Sequence, residues 1–558
     1  MKYSLRYLGH SGVSGGPYRS TLAFQPNLGR EPVFFDGELR DPLRFREAIS
    51  ALHDVVIGDL RPPKKDRTAY EAYRAEQARE EAELREKLLE QEVQKVSRDP
   101  KAPPAGLEED FRRLHAVYWK KRREWAWELM RNDPELFRHL VPCDPIVTVA
   151  DDVVFFECFA KDESSYGCLT LERDGFRGKQ DASLGTTNVD YSMKLYEHFQ
   201  TLRSYRETRL KVDPRGFEVE VEGQGDYREE KIDLPPSWLR GLGQISAATA
   251  LPSRTVTLDV DVVYSLLAHL VRNREKHGPR SIRFELTPGR PPRLVLEPWD
   301  VVVESRGAPY RGERAETIKV WGRRRLASLA RVLPLVERVE VHLLGSGMPS
   351  IWVAFCGEMR FTLALSGWTA NDWTSGGNLQ LLSGEWQPDE ATIERVTRAL
   401  RSDRAMTLDE LARAAGTDAT DARAAMHRVC ELGQAVFDYS SGQYRYRQVV
   451  DVELGEAQLG PEPPELTEGR ELFVQKAVRI ESDAPAGRGR RHVMGKVGTY
   501  DVECIFDLDG VLSRASCGCS HHYKFKLKKG PCRHLVALRL TLTVGDRSLG
   551  SATLGGAR

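Results

Sequence analysis

The sequence predicts an α+β fold spread over several domains, and three observations predict it. Between residues 145 and 384, strand-like runs come in groups with helical stretches between the groups, whereas a parallel α/β sheet would alternate strand and helix throughout. Breaks rich in proline and glycine at 103–106 and 455–469 interrupt the periodic segments. The length, 558 residues, suits roughly three to five domains.

Residues 1–142 read as an N-terminal module. Short strands at Met1–Tyr7, Ser20–Phe24 and Pro32–Phe35 are separated by turn residues. From Thr68 to Arg98, opposite charges recur three or four residues apart, as in Glu76 with Arg79 and Glu83 with Lys87, which is the pattern of a solvated helix. After Pro103-Pro104-Ala105-Gly106 a second helix, Leu107–Asn132, carries Trp119, Trp125 and Trp127 around Lys120-Lys121-Arg122-Arg123. The two make a charged helical hairpin. Its aromatics pack it against its domain or, with the basic run, meet nucleic acid.

Residues 143–236 are strand-rich, beginning with Ile146–Val149 and Val153–Phe156. Residues 237–385 mix elements. Val262–Arg274 is helical, with Leu266, Leu267, Leu270 and Val271 on its apolar side. Strands follow at Ser281–Leu286, Arg293–Leu296, Val339–Leu344 and Ile351–Phe355, with a basic helix over Gly322–Val332. Trp368 and Trp373 read as core or interface anchors.

Residues 386–450 hold three helices and a hairpin. Asp389–Arg401 is the first helix. Thr407-Leu408-Asp409-Glu410 is a capping box that opens the second, and Gly416 ends it. Thr420 is placed to cap the third, which Gly433 terminates, and Ala435–Tyr439 and Gln443–Arg447 flank the turn Ser440-Ser441-Gly442. The segment resembles a winged helix-turn-helix, a unit that reads DNA or docks proteins. Between Pro388 and Gln448, nine arginines face ten acidic residues, a net charge of −1. DNA binding draws on phosphate neutralisation, and this segment has no positive excess to offer.

A proline-rich linker, 451–470, leads to the last module, 471–545, and a tail, 546–558. Strands at Val493–Val497, Tyr500–Phe506 and Val511–Ser516 run into Cys517-Gly518-Cys519, with Asp509-Gly510 as a hairpin turn. Twelve residues later come Cys532-Arg533-His534, behind Pro531, which opens a helix with Leu535, Leu538 and Leu542 apolar. Three thiols and one imidazole form a closed tetrahedral set with no open position, the composition of one structural zinc ion, Zn2+. His521 and His522 are rival ligands by proximity, and Cys504 reads as a small core residue. The loop Lys524-Phe525-Lys526-Leu527-Lys528-Lys529 with Arg533 and Arg539 presents a basic surface; Lys524, Phe525, Lys526, Lys528, Lys529 and Arg533 are the candidate nucleic-acid contacts. From Arg470 to the end, 16 basic residues stand against 8 acidic, a net +8.

The Cys-x-Cys…Cys-x-His pattern over residues 495–543 resembles the SWIM-type zinc finger, here of the ββα kind. SWIM fingers are associated with both DNA and protein binding. The stretches Leu234–Gly241 and Leu365–Trp373 are similar to a bacterial region that precedes such fingers. That resemblance implies a protein partner, a MoxR-type AAA ATPase or a von Willebrand A-domain protein.

Composition narrows the function further. Basic and acidic residues balance at 82 each, so nucleic-acid affinity has to come from a local patch. No apolar run approaches a membrane span, the N-terminus lacks a signal-peptide core, and dispersed cysteines fit a reducing cytoplasm. Ile505–Leu512 resembles the first motif of haloacid-dehalogenase phosphatases, but too little chain follows to complete that site. Gly12-Val13-Ser14-Gly15-Gly16 fits a nucleophile elbow in letters, but Pro17 and a strand follow where a helix is needed; a glycine-rich hairpin turn is expected there. With no catalytic residues and no small-molecule substrate indicated, the expectation is a non-enzymatic, cytoplasmic adaptor, the alternative a DNA-binding protein that uses finger and winged helix together.

Overall fold

The computed structural model describes residues 5–58 and 145–552, less internal stretches of which the longest are 190–195, 214–228, 368–388 and 454–463; between 59 and 144 it describes only residues 113, 114 and 117. The chain divides into two units, 59–141 and the remainder. Apart from residues 113, 114 and 117, the expected helical hairpin, with Trp119, Trp125, Trp127 and the basic run at 120–123, lies outside the described residues, as do Trp368 and Trp373.

The larger unit is built on an eight-stranded antiparallel sheet. Its strand order is Arg254–Leu258, Arg338–Leu343, Ser350–Cys356, Met359–Leu365, Ser165–Glu172, Val153–Phe159, Ile146–Val149 and Gly185–Asn188. This one sheet draws strands from both sides of the boundary expected at 236/237. Alternation along the strands gives it two different faces. One is apolar: Val147, Val154, Phe156, Leu169, Leu171, Val341, Trp352, Phe361 and Leu363 join the main core. The other is buried and carries the polar residues Thr148, Glu157, Tyr166, Thr170 and His342 among Phe155, Phe159, Ile351 and Val353.

The helix Pro42–Val56 closes the apolar face. Asp41 caps it by accepting from the Arg44 N–H, and Pro42 fills its first turn. Phe45, Ile49, Leu52, Val55 and Val56 follow helical spacing and are all buried, each contributing roughly 1.5–3 kcal/mol. Gly167 sits where this helix crosses the sheet: a Cβ there would lie 3.0 Å from Leu52 Cδ1 and 3.2 Å from Val55 Cγ2. A five-stranded sheet joins the first 39 residues to later chain, since Arg19–Phe24 runs parallel to Glu207–Val212 and Phe34–Leu39 pairs with Phe176–Ser183. Gly12–Gly15 is itself a strand of that sheet, paired with Ser20–Ala23, where the sequence suggests a turn. The next described element after it, Arg19–Phe24, is a strand and not a helix.

The polar face is covered by the helix Pro236–Thr249 and by the unit at 390–446. That unit has helices Glu390–Asp403, Leu408–Ala415 and Ala419–Glu431, and a three-stranded sheet ordered Ala405–Met406, Gln443–Tyr446, Ala435–Asp438. Thr407 and Glu410 form the capping box, and Gly416 takes the left-handed conformation, φ 62°, at the end of the second helix. The third helix is capped by Asp418, two residues before the expected Thr420. Two arginines fasten the unit to the sheet. Arg445 makes a bidentate pair with Asp152, at 2.7 and 2.8 Å, and a third bond to Asp438. Arg447 pairs with Glu157 at 3.0 Å and bonds Ser246 at 2.9 Å, with both charges wholly buried.

The C-terminal module is a four-stranded antiparallel meander, Val478–Ala486, Arg490–Val497, Tyr500–Phe506 and Leu512–Cys517, followed by helices Ser520–Phe525 and Arg533–Ala552. Val493, Val497, Val502, Cys504 and Phe506 pack on Leu535, Leu538 and Leu542. A further helix, Pro464–Val474, starts inside the stretch expected to be linker. It crosses the last helix at Gly469, where a Cβ would stand 2.7 Å from Val536 Cγ1. Among the described residues no helix is long and apolar enough to cross a membrane.

Candidate metal centre

Four side chains meet where the meander hands over to the last helix. Cys517 ends the strand Leu512–Cys517. Cys519, two residues on, caps the helix Ser520–Phe525, and its Sγ accepts the His522 backbone N–H at 3.4 Å. Cys532 and His534 stand at the start of the helix Arg533–Ala552, behind Pro531. All four are buried, and their ligand atoms lie within 4.8 Å of one another.

These distances fit a metal. Metal–sulfur bonds of about 2.3 Å and metal–nitrogen bonds of about 2.0 Å at tetrahedral angles put S and N about 3.6 Å apart. Cys517 Sγ and His534 Nδ1 are 3.5 Å apart, which also selects Nδ1 as the ligating nitrogen. Cys517, Cys519, Cys532 and His534 can therefore coordinate one metal ion. One thiol of the set leans toward ionisation: the hydrogen bond from Cys517 holds Cys532 down to about 3, with help from His534 and the Leu535 backbone N–H, and the same bond pushes Cys517 up. A bound cation would replace that shared proton, since ligation requires thiolates and a neutral imidazole. The Tyr500 ring lies over His534, centroids 4.5 Å apart, and screens the cluster from one side.

Neither rival histidine joins the set. His521 Nε2 pairs with Glu465 at 3.2 Å, and His522 is buried with its backbone, not its ring, engaged to Cys519. Cys504 is a core residue whose thiol burial pushes up to about 12.

The candidate nucleic-acid contacts separate. Lys524 and Lys526 are exposed, while Lys528 and Lys529 lie outside the described residues. Phe525 is half-buried, its ring 5.2 Å from that of His521. Arg533 is ion-paired to Glu468, and burial lowers the pKa of Arg539. The basic surface is therefore narrower than the sequence suggests. Tyr523, which the sequence reading passes over, is 78% exposed; its place in Lys-rich sequence beside a metal ligand was the available signal.

The basic residues of the 390–446 unit, and Arg447 just after it, are placed differently again. Arg445 and Arg447 are buried in ion pairs with the sheet, so neither is free to meet phosphate. His427, on the third helix, is buried, with the Ala247 backbone of the covering helix beside it. Arg423 is exposed, and Arg428 pairs with Glu431.

No protein-family model matches the chain, and no curated protein matches it. Solved structures similar to it include proliferating cellular nuclear antigen from Entamoeba histolytica, at 14% identity and a TM-score of 0.27, over 43% of this chain and 95% of that one. Two others are the A. fulgidus PCNA bound to the C-terminal region of FEN-1, at 12% and 0.27 over 43% and 95%, and PCNA from Thermococcus kodakaraensis, at 11% and 0.26 over 40% and 90%. Likenesses at these scores carry no argument about function.

Proposed function

We propose that the chain is a non-enzymatic interaction protein whose C-terminal module, a SWIM-type finger held by one structural zinc, makes the contact. The observation that carries this is the closed, buried set of Cys517, Cys519, Cys532 and His534. Four protein ligands leave no coordination position for substrate or water, so the ion's work is to order the chain around it. What it orders is the short helix Ser520–Phe525 and the start of the last helix, whose outward residues form the contact surface. The partner in this reading is another protein, of the MoxR-type ATPase or von Willebrand A-domain kind that the sequence resemblance implies, and the chain acts as an adaptor. The test compares tagged full-length protein with its Cys517→Ser/Cys532→Ser variant in the native host. An ATPase captured by the first and lost from the second supports the adaptor; equal capture by both overturns the finger's role.

The second reading is nucleic-acid binding, favoured by the exposed Tyr523 and Lys524 on one short helix with Lys526 at its C-cap. It relies on the finger. The 390–446 unit, read as a winged helix, supports it poorly, because His427, Arg445 and Arg447 face the rest of the chain. A protein-facing role for that unit is the better reading.

A further inference from the structure

The helix Ser520–Phe525 is bracketed by metal ligands, Cys519 at one end and Cys532 beyond the other. Its inward side chains are committed: His522 is buried, His521 holds Glu465, and Phe525 leans on His521. Its outward side carries Tyr523, at 78% exposure, with Lys524 and Lys526 exposed beside it. The Lys526 ammonium is 5.8 Å from the Tyr523 ring centre. From Ser520 to His534 the sequence contains no acidic residue.

We infer that this helix is a docking surface for single-stranded nucleic acid, with Tyr523 as the platform for a base and Lys524 and Lys526 as phosphate contacts. The inference rests on the nucleic-acid reading above and narrows it to one class of strand. An exposed ring with two exposed lysines close by in sequence, one of them 5.8 Å from the ring centre, matches a ligand that offers a flat apolar face and negative charge a few ångströms apart. A single strand offers both along its whole length. In a duplex the base faces are stacked on one another and only edges reach the grooves, so Tyr523 would have nothing to stack on. A purely acidic peptide would satisfy the lysines and leave the ring uncovered. A metal on Cys519 would supply what such a platform needs: a six-residue helix has no stability of its own, and ligation through its N-cap residue would hold the helix in place before the strand arrives.

The test uses the full, zinc-loaded chain with a labelled 20-nucleotide poly-dT strand and a duplex of the same length, followed by fluorescence anisotropy at low salt. The expected result is at least tenfold tighter binding of the single strand. Tyr523→Ala should weaken that binding about 5- to 150-fold, leave the duplex affinity unchanged and leave the zinc content at one; Tyr523→Phe should restore it. Lys524→Ala/Lys526→Ala should reduce the salt slope by about 1.4, at about 0.7 for each phosphate contact on a single strand. If the wild type binds neither strand, the nucleic-acid reading itself fails and a protein partner takes its place. If it binds duplex as tightly as single strand, or binds the single strand equally well after Tyr523→Ala, nucleic acid stands as the ligand and this platform is overturned.

Discussion

Replacing Gly469 tests whether the helix before the finger and the metal set are one structural unit. Gly469 is buried where the helix Pro464–Val474 crosses the helix that carries His534. A Cβ there would lie 2.7 Å from Val536 Cγ1, 2.8 Å from Val536 Cβ and 2.9 Å from the Arg533 carbonyl oxygen. Ordinary contact begins at 3.4 Å, so the first distance is short by 0.7 Å and the last by 0.5 Å. Val536 is β-branched and has one favoured helical rotamer, and the third contact is backbone, so the helices must separate. Overpacking of this kind costs about 1–3 kcal/mol, and valine, with two methyls to place, belongs at the upper end. Valine's better helix propensity returns only about 0.4 kcal/mol. The net is about 2.5 kcal/mol, or roughly 60-fold in an equilibrium constant. Because folding of a small metal-held module and metal binding are one event, the loss should register as weaker zinc affinity. Gly469→Ala, which regains about 1 kcal/mol of propensity and adds less bulk, should fall between wild type and Gly469→Val. Competition against a chromogenic chelator measures this. Unchanged zinc affinity in Gly469→Val, with the fold intact, would refute the coupling.

Two further predictions concern the attachment of the 390–446 unit. Glu157→Leu should destabilise the larger unit by about 3–5 kcal/mol, because it leaves the Arg447 charge buried without its partner, whereas Glu157→Leu/Arg447→Met should recover most of the loss; urea unfolding measures both, and a single variant as stable as wild type would contradict the pair's role. Burial lowers His427 to about 4 from an ordinary 6.5, against a smaller opposing effect of the Ala247 backbone. The unfolded chain therefore binds the extra proton first, so stability should fall as pH drops from about 6.5 to about 4, by up to about 3 kcal/mol from this residue; His427→Leu should flatten that part of the profile, and an unaltered profile would show that His427 does not titrate on unfolding.

The metal set was legible because ligation chemistry is written in residue type and spacing: Cys517, Cys519, Cys532 and His534 needed only a strand end and a helix start to meet. Local helix signals were legible for the same reason, as at Thr407, Glu410 and Gly416. What stayed hidden was set by distant chain. Arg447 reads as a surface cation of a hairpin until it meets Glu157, 290 residues away. The helix Pro42–Val56 gains its identity from a sheet whose strands begin about a hundred residues later. Strand grouping along the sequence does not reveal that strands on both sides of 236/237 share one sheet. The basic loop hid a distinction that needs exposure to see: Tyr523 points outward while Phe525 and Arg533 are already engaged.

The central claim is that one zinc ion, held by four named side chains, orders the contact surface, and elemental analysis of gently purified full-length protein tests it most directly. The account predicts one zinc per chain, lost in Cys517→Ser/Cys532→Ser and retained in a Cys504→Ser control, since Cys504 belongs to the core and not to the set. A zinc content near zero in the wild type, or full retention in the double variant, would contradict it.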